Sequence, residues 1–218
     1  MKLSRIGVAV LAVVVSASAS WATETKPQTF ATFADPAKTA DTPLFWLSYD
    51  QSGDISSVVG KWEGEGLTLQ MYDNMAYTNA TFVMGTLDEG DFVEGPIAVT
   101  AGKLGAGVLI FKDSVGSEIA RMTWTDGCGS INDFGLGASN RKLTVSGARV
   151  QIENKTRMDT YSEESFAFAF TNFVDIDNSL ASATASFTSS ANIVTPEPAT
   201  MCLLALGSFF CFGRRTRG

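Results

Sequence analysis

From Leu44 onward, short apolar runs alternate with clusters of Gly, Asn, Asp and Ser, and no apolar stripe with a 3.6-residue period appears in this stretch. The pattern predicts strands over residues 44–49, 67–72, 81–87, 96–101, 107–112, 118–125, 142–153, 165–174 and 180–193. Two of them alternate cleanly. In 165–170, Phe166, Phe168 and Phe170 share one face while Ala167 and Ala169 take the other, so this strand is expected to drive an aromatic stripe into the core. In 180–187, Ala181, Ala183, Ala185 and Phe187 alternate with Ser182, Thr184 and Ser186, which predicts one dry face and one wet face.

Many short strands joined by Gly-rich turns predict an all-β body, an antiparallel β-sandwich or jelly roll rather than a barrel, forming one domain over residues 44–193. Residues 127–137 are the longest break in strand character. They are expected as a loop, the natural place for ligand contacts. Residues 23–43 hold few large apolar side chains, contain Pro27 and Pro36, and read as a leader segment partly ordered by Phe30 and Phe33.

The two ends follow different rules. Residues 1–22 have a basic start (Lys2, Arg5), an apolar run over 6–15, and small residues Ser20 and Ala22 at the minus-three and minus-one positions. This predicts a signal peptide, helical in its apolar part, cleaved after Ala22, with Ala17-Ser18-Ala19 as a competing site. At the other end stands Val194-Thr195-Pro196-Glu197-Pro198-Ala199-Thr200, followed by an apolar run over 201–212 and then Gly213-Arg214-Arg215-Thr216-Arg217-Gly218. As a helix that run reaches about 18 Å, against about 30 Å of hydrocarbon. It is too short for a permanent anchor and suits transient membrane insertion. Arg214, Arg215 and Arg217 form a basic stop that the positive-inside rule places in the cytoplasm, which puts the body outside. The prolines fix φ and disfavour helix before them, so Pro196-Glu197-Pro198 is presented as a stiff, extended element.

This order of signal peptide, polar body, V-x-P-E-P-A-T, short apolar segment and arginine cluster resembles the PEP-CTERM proteins. The likeness is limited to the signal peptide and residues 194–218. The resemblance implies a sorting motif at Pro196, Glu197, Pro198, Ala199 and Thr200, recognised by an exosortase. That partner is a membrane transpeptidase that cuts near the motif and delivers the body to the cell surface or an exopolysaccharide matrix. The implied division is 1–22 signal peptide, 23–43 leader, 44–193 body and 194–218 sorting signal.

Charge and composition narrow the body's chemistry. Five of the 16 Lys and Arg sit in the terminal segments and one of the 23 Asp and Glu lies beyond Ile193, so leader and body together, residues 23–193, carry 11 basic against 22 acidic side chains. Nucleic acid is therefore not an expected partner. The chain has no histidine, which removes Ser-His-Asp and Cys-His catalysis and the usual zinc sites. Cys128, the body's one cysteine, sits between two glycines and reads as a small turn residue. Among the carboxylates, Glu63 and Glu65 beside Trp62 are the best catalytic candidates, although solvent-facing strand residues show the same spacing. Asp175 with Asp177, and Asp88, Glu89 and Asp91, have the close oxygen spacing that calcium uses. Trp62, Trp124, Tyr72 and Tyr77 are candidate stacking platforms for sugar. No catalytic residue, metal or cofactor is assigned. The expected function is that of an exported, non-enzymatic surface or matrix protein with a structural or interaction role; the alternative is a carbohydrate- or calcium-binding module.

Overall fold

Residues with one apolar and one polar neighbour repeat along most of the body, and the chain answers with strands throughout. The computed structural model describes residues 27–39, 41–72, 74–139, 150–155 and 160–194. The signal peptide, the sorting motif and both expected terminal helices lie outside the described residues.

In chain order the strands are β1 (Pro27–Phe33), β2 (Phe45–Tyr49), β3 (Ile55–Trp62), β4 (Thr68–Met71), β5 (Ala76–Thr78), β6 (Thr81–Asp88), β7 (Asp91–Glu94) and β8 (Ile97–Thr100). They continue as β9 (Lys103–Leu104), β10 (Gly107–Lys112), β11 (Glu118–Trp124), β12 (Gly129–Asn132), β13 (Gly135–Ser139), β14 (Val150–Asn154), β15 (Thr160–Asp177) and β16 (Leu180–Val194). Eight of these close a ring of antiparallel neighbours, running β2, β3, β8, β9, β12, β13, β15, β16 and back to β2. The expected sandwich or jelly roll is therefore corrected to an eight-stranded antiparallel barrel. Closure is made by β2, which pairs Trp46 with Ser182 of β16 on one side and with Val59 of β3 on the other. A closed ring leaves no free edge among its members.

Two barrel strands are shared with flanking sheets. β3 pairs with β8 through Ser57 and Val58, then with β6 through Lys61 and Trp62, starting the sheet β6–β10–β11–β14 with β7 beside β6. β16 pairs with β2 through residues 180–183 and then with β1, which leads to β4 and β5.

A single aromatic cluster joins these parts. Phe33 meets Phe82, Phe111, Phe168 and Phe187 with ring centroids 5.4–6.2 Å apart, and Phe168 lies 4.8 Å from both Phe45 and Phe187. Such offset and edge-on pairs add about 0.5–1.5 kcal/mol each beyond the area they bury. Trp124 packs 5.1 Å from Phe166 and donates its indole N–H to the Gly105 carbonyl at 2.8 Å.

The predicted strands from 44 to 125 and that at 180–193 form close to their expected bounds, the one at 165–174 extends to Thr160–Asp177, and of its phenylalanine stripe Phe166 and Phe168 are buried while Phe170 is partly buried. Of the strand expected over 142–153, β14 lies at its end, and residues 140–149 are outside the described set. Elsewhere the sequence pattern misleads. The expected leader contributes β1, whose Phe30 and Phe33 are core residues. In β1 a bulge at Phe30 turns this side chain inward beside Ala31, and Ser189 stitches the irregularity by accepting from the Ala31 N–H (3.1 Å) and donating to its carbonyl (3.3 Å). The expected loop 127–137 is the hairpin β12–β13, registered from Gly129↔Ala138 to Asn132↔Gly135. Finally, Ser182 and Thr184 are buried, so that part of β16 has no wet face. Thr184 is satisfied there by Thr171 (2.8 Å) and by the Asn172 amide, which donates at 3.1 Å.

Candidate functional site

β13 begins at Gly135 opposite Ala169, and β15 runs on to Asp177 past the turn that joins β12 to β13. The notch left beside the protruding strand is a cleft of about 590 Å³ lined by Tyr49, Asp133, Phe134, Phe170, Phe173 and Asp175, among others. Its walls are fixed by backbone. The Asn132 carboxamide accepts from the Phe134 N–H at 2.9 Å, and the Phe134 carbonyl accepts from the Phe170 N–H at 2.9 Å. Asp50 holds the facing turn by accepting from the N–H groups of Ser52 (2.8 Å) and Asp54 (3.1 Å), with Gly53 in the left-handed region that this turn requires.

Phe134 is anchored on both sides and yet its side chain is 84% exposed. A large apolar ring held in water loses the stabilisation that burial gives, about 1.5–3 kcal/mol for Phe. Tyr49, Phe170 and Phe173 are partly buried against the core and line the cleft. Asp133 and Asp175 form no ion pair among the described residues and stand near the Tyr49 hydroxyl. Burial first, then those two carboxylates, push the Tyr49 hydroxyl above its ordinary pKa. Asn172, at the cleft wall, has a left-handed backbone with φ of 46°. Such non-glycine outliers gather at binding sites.

The residues singled out from sequence separate into different places. Trp124 is 2% exposed and Trp62 9%, so both are core side chains rather than platforms. Tyr72 stacks on Phe30 and Tyr77 packs against the core. Glu63 and Glu65 face solvent after β3, and Glu63 pairs with Lys61 at 3.1 Å. Asp177 is used by its own turn, accepting from the Ser179 N–H (2.7 Å) and hydroxyl (2.8 Å), while Asp175 lines the cleft. Among the described residues no three His, Cys, Asp or Glu side chains stand together as a metal site would need. Cys128 is half-buried where the β11–β12 turn meets the core. Phe134, the most exposed aromatic of the cleft, lies within residues 127–137 but was not singled out from sequence, because a lone phenylalanine among glycines looks like a loop's core contact.

Residues 194–217 match the family model of the PEP-CTERM protein-sorting motif. The tail is a PEP-CTERM sorting signal. It marks an exported, envelope-associated protein whose tail is processed by exosortase, a membrane enzyme. The matched span contains Pro196, Glu197, Pro198, Ala199 and Thr200 together with Arg214, Arg215 and Arg217. No curated protein and no solved structure matches the chain. Among the described residues no helix is long and apolar enough to cross a membrane.

Proposed function

We propose that this protein is a non-enzymatic component of the cell surface or the exopolysaccharide matrix, a β-barrel cargo exported by residues 1–22 and delivered by its tail. An exosortase-type transpeptidase recognises Pro196-Glu197-Pro198 while residues 201–212 hold the precursor in the membrane and Arg214, Arg215 and Arg217 stop it there. The observation that carries this reading is the sorting motif at residues 194–217. The absence of histidine from the sequence and the solvated position of Glu63 and Glu65 favour a role without catalysis. Replacing Pro196, Glu197 and Pro198 with alanine tests it. Surface labelling of cells should fall to background while the precursor accumulates in the membrane fraction; undiminished labelling contradicts the reading.

Carbohydrate binding is a second reading, favoured by the cleft at Phe134. An exposed aromatic ring on a backbone-anchored turn, beside carboxylates with no ion pair among the described residues, suits a pyranose, whose apolar face stacks on the ring while its hydroxyls donate to Asp133 and Asp175. Calcium has less in its favour, because Asp177 is already satisfied by Ser179.

A further inference from the structure

We infer, resting on the carbohydrate reading of this cleft, that its ligand is a saccharide carrying a protonated amino group, with the ammonium held between Asp133 and Asp175 and the sugar ring against Phe134. The selectivity follows from charge. Among the described residues two carboxylates and no Lys or Arg line the cleft, and neither carboxylate is neutralised by an ion pair. A neutral sugar would leave that charge uncompensated. An anionic sugar would be repelled by it, and by a body with twice as many acidic as basic side chains. A protonated amine answers both carboxylates with charge-assisted hydrogen bonds, and the exposed ring of Phe134 offers a face for cation–π attraction. Tyr49 supplies a hydroxyl whose proton is firmly held, so it can donate to a ring or hydroxyl oxygen of the same sugar.

Three β-1,4-linked tetrasaccharides that differ only at C2 separate the possibilities: the glucosamine form (amine), the N-acetylglucosamine form (amide) and the glucose form (hydroxyl). Titration calorimetry with the purified full chain at low salt should give at least roughly tenfold tighter binding for the amine form than for the other two. The pair Asp133→Asn and Asp175→Asn should abolish that preference, and Phe134→Ala should weaken all three ligands together. A control pair on another turn, Asp88→Asn with Glu89→Gln, should leave the preference intact and so exclude attraction to the acidic surface at large. Equal binding of all three forms, or a preference that survives loss of both cleft carboxylates, overturns the amino-group inference while leaving carbohydrate binding in place. Failure of every form to bind overturns the carbohydrate reading itself.

Discussion

The backbone N–H of Phe170 donates to the carbonyl of Phe134 at 2.9 Å, tying the tip of the β12–β13 hairpin to the strand that passes it. This bond fixes the backbone of the turn that carries Phe134, whose side chain stays 84% exposed. Phe134→Ala should therefore leave stability within about 0.5 kcal/mol of the parent, as for other exposed side chains. Thermal unfolding checks this, and a fall of several degrees would mean that the ring serves packing instead.

Ser189 reaches both backbone groups of Ala31 beside the bulge at Phe30. Both lie in the interior, where an unsatisfied backbone group costs about 1–3 kcal/mol. Ser189→Ala should lose that amount in urea unfolding with an unchanged m-value. A neutral result would show that β1 tolerates the bulge unaided.

The indole of Trp124 occupies the space in which a side chain at position 107 would begin. Gly107→Ala should push the ring off Phe166 and cost about 1–3 kcal/mol, the usual toll of overpacking. Tryptophan fluorescence and melting temperature together would register the displacement. An unshifted emission maximum with full stability would refute the close packing.

Glu118 and Arg121 pair through two hydrogen bonds, 2.8 and 2.9 Å, although residues three apart on a regular strand face opposite ways. An extra residue, Ile119, sits where Phe111 pairs with Ala120 and Lys112 with Glu118, and this bulge brings both side chains to one face. The Arg121 hydrogen bond holds the Glu118 carboxyl below its ordinary pKa. A carboxylate with a lowered folded-state pKa contributes stability that is present above its unfolded pKa and is lost as pH falls through the folded one. Stability should thus decline on acidification below about pH 4.5, and less steeply in Glu118→Gln, as measured by urea midpoints across that range. Parallel declines in the two proteins would remove the pair as the cause.

The strand at Phe166, Phe168 and Phe170 was legible in the sequence because period 2 is a local property of the chain, whereas β3, whose buried positions Val58, Gly60 and Trp62 also alternate, was missed. Closure was not. Whether β2 pairs on one side or two depends on contacts between Trp46 and residues more than a hundred positions away, and no local pattern encodes that register. Two kinds of segment hid their strands. β1 was masked by Pro27 and by the polar residues around Phe30, while β12 and β13 were masked by glycines that permit close strand packing as readily as a loop. At Gly137 the Phe166 carbonyl stands too near to admit any side chain. The sorting motif was fully legible, since its chemistry lies in the order of short segments rather than in a fold. The cleft was legible in part, at Asp175 and in the stretch 127–137 that carries Asp133 and Phe134, but not as one site, because Tyr49, the β12–β13 turn and β15 meet there from distant parts of the chain.

Intact-mass spectrometry of the protein recovered from exosortase-bearing cells tests the central claim of a barrel sorted and trimmed at both ends. The expected mass starts at Thr23 and stops close to Pro196–Pro198, without Arg214, Arg215 and Arg217. A mass that retains the complete tail through Gly218 would contradict it.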